Sequence, residues 1–304
     1  MSAPTPQPSG STPPSEVHAA HATHAVPRAP EASGSSPVAQ DVSSAVDDSD
    51  ALPPPRVRPR TLVLETVLVL GVSLGSSAIY AVLSFIRKVT AQVALSQQTT
   101  AMNSSVTPDR PWLDLAYQLA GVVLGVVPAL LAVYLLARDD AGALRRIGAD
   151  VRRPVSDLLR GALLAAAIGI PGLGLYLLAR QLGLNTTVAA ANLTAVWWAV
   201  PVLVLAAVQN AVLEEVVMVG YLFTRWRQAG WSFWTVALTS ALIRGTYHLY
   251  QGVGGFVGNV AMGLIVAWAY RRWGRVGPLV VAHTILDVVA FVGYALLVGR
   301  VGWL

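Results

Sequence analysis

The chain has 304 residues, of which 54% are hydrophobic and only 12% are charged, with a formal net charge of +5. So small a charged share excludes an ordinary soluble domain. Cysteine is absent, which excludes disulfides, thiolate nucleophiles and cysteine-ligated metals. The positive charge does not indicate a nucleic-acid partner, because the basic residues cluster beside apolar segments, where such residues orient helices in a membrane.

The first 58 residues differ from the rest of the chain. Residues 1–58 are rich in Pro, Ser, Ala and Thr without apolar periodicity, which predicts a disordered tail, and they lack the apolar core of a signal peptide. Residues 59–304 carry about seven apolar segments, or eight if one is broken, each near the roughly 20 residues that cross a bilayer. These segments are 61–86, 113–137, 157–181, 193–223, 233–250, 255–271 and 278–298. The prediction is an all-α, polytopic transmembrane helical bundle.

The basic residues between the segments predict the orientation of the bundle. Most of them fall on one side of the membrane if seven segments cross it. They are Arg56, Arg58, Arg60, Arg138, Arg145, Arg146, Arg152, Arg153, Arg160, Arg225, Arg227, Arg271, Arg272 and Arg275. Because basic residues favour the cytoplasmic side, the N-terminus is predicted to be cytoplasmic. The preference for Arg over Lys and the abundance of Ala, Val and Gly are typical of a GC-rich bacterial genome. The membrane is therefore predicted to be a bacterial cell membrane.

Two adjacent carboxylates, Glu214 and Glu215, interrupt the fourth apolar segment. Ionisable residues at bilayer depth are costly, and they usually face a bundle interior where partners or function retain them. Glu214 is predicted to lie ~15 Å from the cytoplasmic end of its helix. Asn210 precedes it by one turn, so both side chains share one helix face.

Two later segments offer partners for these acids. Arg244 and His248 are one turn apart in the fifth segment, and His283 and Asp287 are one turn apart in the seventh. If Gly252, Gly254 and Gly255 end the fifth helix and it enters the membrane near residue 236, His248 lies at ~16 Å, level with Glu214. The sequence therefore predicts one polar pocket lined by three helices.

Water activation is the chemistry that this pocket favours. Glu214 is the candidate general base, while His248 or His283 would polarise a carbonyl or hold the oxyanion. Asp287 would fix the tautomer of His283. Glu215 is a candidate catalytic residue or the ion-pair partner of Arg244. Asn210 and Asn259 are expected to support the substrate or the structure, as polar side chains between membrane helices often do.

A zinc site is the competing interpretation of the same residues. His248, His283 and Glu214 would make a plausible ligand set with a position left for water, and Zn²⁺ would lower the pKa of that water. The sequence has no His-Glu-x-x-His motif. Water activation without a cofactor is the preferred prediction.

The order of these residues resembles three motifs of the CPBP family, the CAAX-processing and bacteriocin-processing (Abi) intramembrane endopeptidases. The first motif of this family, Glu-Glu-x-x-x-Arg, corresponds to Glu214-Glu215. The second, Phe-x-x-x-His, corresponds to His248, and the third, His-x-x-x-(Asn or Asp), corresponds to His283-x-x-x-Asp287. The similarity covers about residues 195–295. It implies a helical-bundle protease in which Glu214 activates water with His248 and His283 as partners, and members have been described both as metalloproteases and as glutamate-dependent proteases.

The sequence departs from these motifs at two positions. Val219 stands where the first motif has Arg, and Arg244 stands where the second has Phe. We expect Arg244 to supply from the fifth helix the cation that is missing from the fourth.

The leading functional prediction is an intramembrane endopeptidase that cleaves a membrane-embedded or lipidated peptide near the cytoplasmic leaflet. The alternatives are a non-catalytic membrane scaffold or self-immunity protein, and a proton-coupled transporter that uses Glu214 and His248 as a relay. The lipid bilayer is the expected surrounding in every case.

Overall fold

The computed structural model describes residues 57–301, so the predicted tail at residues 1–58 lies outside this range except for its last two residues. The helices are α1 (Pro59–Leu70), α2 (Ser76–Val89), α3 (Pro111–Asp139), α4 (Ala143–Arg146), α5 (Pro154–Gln181), α6 (Ala199–Glu215), α7 (Leu222–Gln228), α8 (Phe233–Tyr247), α9 (Val253–Trp273) and α10 (Gly277–Leu297). Wider π turns join α1 to α2 (Gly71–Gly75) and α6 to α7 (Val216–Tyr221), and 3-10 turns cover Leu95–Gln97 and Leu249–Gln251. Two three-residue strands, β1 (Thr99–Ala101) and β2 (Thr187–Ala189), pair in parallel.

The predicted helical bundle is confirmed. Within residues 57–301, six helical segments are long and apolar enough to cross a membrane: Pro59–Val89, Pro111–Asp139, Pro154–Gln181, Ala199–Gln228, Val253–Trp273 and Gly277–Leu297. The seventh predicted segment forms α8, which has 15 residues. At helical rise it covers about 22 Å, less than the ~30 Å hydrocarbon core, and the turn at Leu249–Gln251 extends it.

The outer surface of the bundle is apolar, as a lipid-facing surface must be. Leu163 and Ile170 on α5 and Leu124 on α3 are among the exposed large side chains. A soluble protein seldom exposes so much contiguous apolar surface. The most enclosed segment is instead the π turn Val216–Tyr221, in which every residue is buried. The chain therefore places the residues next to Glu214 and Glu215 at the centre of the bundle.

Small residues bring α8 and α9 into close contact. A Cβ atom added to Gly245 would lie 2.5 Å from Cγ2 of Val260, and one added to Gly263 would lie 2.8 Å from Cα of Ala241. Small residues let membrane helices approach closely in this way. The same Cβ on Gly263 would lie 3.5 Å from Cδ of Arg244, so this glycine also leaves room for the arginine stem.

The end of α8 follows the predicted break only in part. The helix ends at Tyr247 with His248 as its C-cap, and Gly252 has a φ of 119°, which favours glycine. The prediction that Gly254 and Gly255 also break the helix is wrong, because both lie in the first turn of α9. Their role is packing: a Cβ added to Gly254 would meet the side chains of Ala179 and Asn185.

Two ion-pair clusters bind the arginine-rich ends of the helices together. Arg225, which is 2% exposed, lies 2.9 Å from Glu65 and 2.8 Å from Asp139, and so joins α7 to α1 and α3. The second cluster joins the start of α10 to α5, with Arg275 Nη2 lying 2.6 Å from Asp157 and 3.1 Å from Asp150. The hydrogen bonds to Asp157 raise the pKa of Arg275 above its ordinary value. A bond from the backbone N–H of Arg152, together with Arg275, lowers the pKa of Asp150.

Replacing Arg275 by Met is expected to destabilise the bundle by about 3–5 kcal/mol, because it leaves the buried carboxylate of Asp157 without its cation. The Tm of the purified protein in detergent measures this loss. Arg272→Met is the matched control, since Arg272 is an exposed arginine at the same end of the bundle. An equal Tm for the two variants would contradict the inferred role of the pair.

Loops at the opposite end of the bundle are held together around β1 and β2. The hydroxyls of Thr100 and Thr186 lie 2.7 Å apart, and the Thr186 hydroxyl donates to the carbonyl of Gln251 over 3.1 Å. The turn that follows α8 is thereby fixed to the loop that carries β2. This fixed turn includes Tyr250, which borders the site described next.

Candidate active site

The two glutamates occupy different environments although they are neighbours in sequence. Both stand at the end of α6, immediately before the π turn, and π turns of this kind are frequent at functional sites. The side chain of Glu215 is fully enclosed, whereas 11% of the Glu214 side chain is exposed. Glu214 is therefore the more accessible of the two carboxylates, and Glu215 is the one that the protein surrounds completely.

Arg244 binds both carboxylates from α8. Its Nη2 atom donates to Oε1 of Glu215 over 2.7 Å, and its Nη1 atom lies 3.2 Å from Oε2 of Glu214. The guanidinium group is 1% exposed. The predicted pairing of Arg244 with Glu215 is present, and the cation comes from α8 while Val219 is buried among apolar residues.

His283 reaches the same carboxylate from α10. Its Nδ1 atom lies 2.8 Å from Oε1 of Glu215, so Glu215 is the closest partner of this ring. Asp287 lies one turn further along, and its Oδ1 atom is 3.7 Å from Nε2 of His283, beyond hydrogen-bonding distance. Asn210 donates to the other oxygen of Asp287 over 3.4 Å. Six predicted residues from α6, α8 and α10 are thus brought together, with Nε2 of His283 free of a short bond to Asp287.

His248 lies beside this cluster at the end of α8. Its Nδ1 atom is 3.0 Å from the carbonyl oxygen of Arg244, which fixes the ring against its own helix. The ring packs between Tyr247 and Tyr250, with centroids 4.8 and 6.2 Å away. Backbone bonding at Nδ1 leaves Nε2 as the nitrogen that is directed away from the helix.

Tyr247 is a site residue that the sequence analysis did not identify. Its hydroxyl donates to Oε2 of Glu214 over 2.7 Å. Tyr247 follows Arg244 by three residues and so shares its helix face. That spacing was the signal available in the sequence.

The last predicted supporting residue, Asn259, lies on α9 and has a local partner. Its side-chain amide donates to the carbonyl of Gly255, one turn earlier in the same helix, over 2.9 Å. Ser240 instead crosses between helices, because its hydroxyl donates to the carbonyl of Met218 in the π turn. This bond ties α8 to the segment that follows the two glutamates.

The arrangement of these side chains does not fit a metal site. Within residues 57–301 no group of three or more His, Asp or Glu side chains is placed to hold a metal ion. The Arg244 guanidinium lies against both glutamates, where its positive charge would oppose a metal cation. We therefore derive no step of the reaction through a metal.

A cavity of about 370 Å³ adjoins the cluster. Tyr247 and Tyr250 line it together with residues of α2 and β1. Tyr247 connects the cavity to the cluster, because its hydroxyl also donates to Glu214. The cavity lies in the half of the bundle opposite the arginine-rich end, whereas the sequence predicts cleavage near the arginine-rich, cytoplasmic leaflet.

Fold and site together define a polytopic helical membrane protein with acids, imidazoles and a guanidinium enclosed between its spans. In the comparison with protein families, residues 196–289 match the family model described as type II CAAX prenyl endopeptidase Rce1-like. This segment contains both glutamates, both histidines and Asp287, so the predicted CPBP resemblance is confirmed there. Neither the curated proteins nor the solved structures include a match.

Proposed function

We propose that the protein is an intramembrane endopeptidase that hydrolyses a peptide bond in a lipid-modified or membrane-associated peptide. The observation that carries the proposal is the division of roles between two adjacent glutamates. Glu215 is enclosed by Arg244 and His283, while 11% of the Glu214 side chain is exposed and its hydrogen-bond partner Tyr247 lines a cavity. A carboxylate used only for packing would need no such access.

In the proposed reaction Glu214 removes a proton from a water molecule. The resulting hydroxide attacks the carbonyl carbon of the scissile peptide bond, and the doubly protonated ring of His283 or His248 donates from Nε2 to the oxyanion. The carbon–nitrogen bond then breaks, and Glu214 returns its proton to the departing amine. Tyr247 positions Glu214 through its 2.7 Å hydrogen bond. Glu215 positions His283, and Arg244 neutralises the acids that would otherwise be buried unpaired.

The substrate class of the matched family gives the direct test. Full-length protein in lipid nanodiscs would be incubated with a quenched fluorescent peptide that ends in a farnesylated cysteine and three further residues. We expect release of the C-terminal tripeptide, at least about tenfold faster than from the same peptide without the farnesyl group, because the lipid concentrates the substrate in the bilayer. Mass spectrometry identifies the bond that is cleaved.

Three outcomes separate this proposal from its rivals. Equal cleavage of both peptides would contradict a lipid-modified substrate but not the peptidase activity. A protein that cleaves neither peptide would support the scaffold or self-immunity alternative. Proton-coupled uptake into proteoliposomes without any proteolysis would support the transporter. The predicted N-terminal orientation is tested separately, by protease access to residues 1–56 in sealed membrane vesicles.

A further inference from the structure

We propose that Lys88, which lines the cavity, forms a binding site for the C-terminal carboxylate of the peptide substrate. The inference rests on the proposed endopeptidase function and adds to it the group that fixes the substrate tail. Lys88 is the only lysine of the chain. It belongs to neither the arginine-rich end nor the glutamate cluster.

Lys88 is a buried cation for which residues 57–301 supply no ion-pair partner. It stands at the end of α2 and is 6% exposed. Its Nζ atom donates to the hydroxyl of Thr100 and to the carbonyl of Tyr250, the latter over 2.6 Å. Among residues 57–301 no carboxylate forms an ion pair with it, whereas the buried Arg225, Arg244 and Arg275 all do.

An ammonium group in this position has unused binding capacity. It carries three donors, and the two neutral oxygens accept from two of them. Burying a charge is costly unless an opposite charge compensates it, so a bound anion would relieve the cost. Arg87 lines the same cavity from the adjacent position and adds a second positive charge there. The local charge therefore favours an oxyanion.

The residues that line the cavity indicate which oxyanion binds there. Lys88 and Tyr250 line one part, and the wall continues to Tyr247, whose hydroxyl contacts Glu214. A CAAX sequence ends in three residues after its lipidated cysteine, and three extended residues span about 10 Å. A carboxylate held at Lys88 would place the preceding peptide bonds in the same cavity that Tyr247, the hydrogen-bond partner of Glu214, lines. A lipid phosphate at Lys88 would have no such relation to the catalytic carboxylate.

The test compares two forms of the farnesylated peptide, one with a free C-terminal carboxylate and one with a C-terminal amide. The wild-type protein is expected to cleave the free acid with a kcat/KM roughly 10- to 100-fold higher, the range for a charge-assisted hydrogen bond. Lys88→Met should bring this ratio close to one, and Lys88→Arg should retain most of it. Since each ratio is measured within one variant, a loss of folded protein cancels. An unchanged ratio in Lys88→Met, or no preference in the wild type, overturns the inference.

A binding measurement keeps the inference testable if no peptide is cleaved. In that case the proposed endopeptidase function fails, and the Tm of the Glu214→Gln protein is measured with the acid and the amide peptide. A larger Tm increase with the acid, lost in the Glu214→Gln, Lys88→Met double variant, supports the carboxylate site. Equal increases overturn it. The effect of Lys88→Met on the Tm is also compared between phosphatidylcholine nanodiscs with and without phosphatidylglycerol. If this effect depends on the phosphatidylglycerol content and not on the peptide, Lys88 binds a lipid phosphate and the inference is overturned.

Discussion

Replacing Glu214 by Gln is expected to lower kcat for peptide cleavage by roughly 10²- to 10⁴-fold, the contribution typical of general acid–base catalysis. The amide keeps the shape of the side chain and still accepts the hydrogen bond from Tyr247, but it cannot take a proton from water. The protein should remain folded, because Glu215 retains its contacts with Arg244 and His283. Cleavage of the farnesylated peptide, normalised to folded protein, measures the effect.

Asp140→Asn is the matched control for this experiment. It also removes one negative charge, but Asp140 pairs with Arg146 at the exposed surface. Surface pairs contribute little, so activity and Tm should stay close to the wild-type values. If Glu214→Gln retained activity within about threefold of the wild type, Glu214 could not be the general base, and the proposed mechanism would have to be abandoned.

The second large effect is expected at the buried ion pair between α6 and α8. Arg244→Met should lower the free energy of unfolding by about 3–5 kcal/mol, because two buried carboxylates, Glu214 and Glu215, would lose the guanidinium that they share. The double variant Arg244→Met, Glu215→Gln should be more stable than Arg244→Met alone, since it also removes the charge of Glu215. Unfolding in mixed detergent micelles, followed by circular dichroism, gives the four free energies of this double-mutant cycle.

The sign of the coupling between the two substitutions is the decisive quantity. A coupling energy of about 1 kcal/mol or more in favour of the double variant is expected for groups in direct contact. Additive losses would show that Arg244 does not stabilise Glu215, and Val219 would then stand without the compensation that we infer. Arg272→Met serves again as the control, as an exposed arginine outside the cluster.

These two experiments address different properties of one cluster. Glu214→Gln tests chemistry with the ion pair intact, and the Arg244 cycle tests stability without requiring a substrate. A scaffold protein would respond to the second change and not to the first. A peptidase should respond to both, because Glu215, which pairs with Arg244, also holds His283 in place.

The sequence predicted the site residues through their contrast with their surroundings. Glu214, Glu215, His248, His283 and Asp287 were identifiable because ionisable groups are rare and costly in apolar helices. Tyr247 was not identified, since a tyrosine in such a helix is equally consistent with packing. Asn259 was expected to bond to another helix, but its amide bonds to Gly255. The sequence shows that a polar residue in an apolar helix needs a hydrogen-bond partner, but it does not show which residue that partner is.

By itself the sequence determined that the chain forms an apolar helical bundle and that acids and imidazoles lie within it, because hydrophobicity and helical spacing are local properties. Only the tertiary structure decided that Glu215 is fully enclosed while Glu214 is slightly exposed, and that Arg244 pairs with both. It also decided that Lys88 lines a cavity and has no carboxylate partner in the described part of the chain. These distinctions depend on how α2, α6, α8 and α10 pack against one another. Neighbours distant in the chain set the burial and pairing of each charge, and spacing along one helix does not specify them.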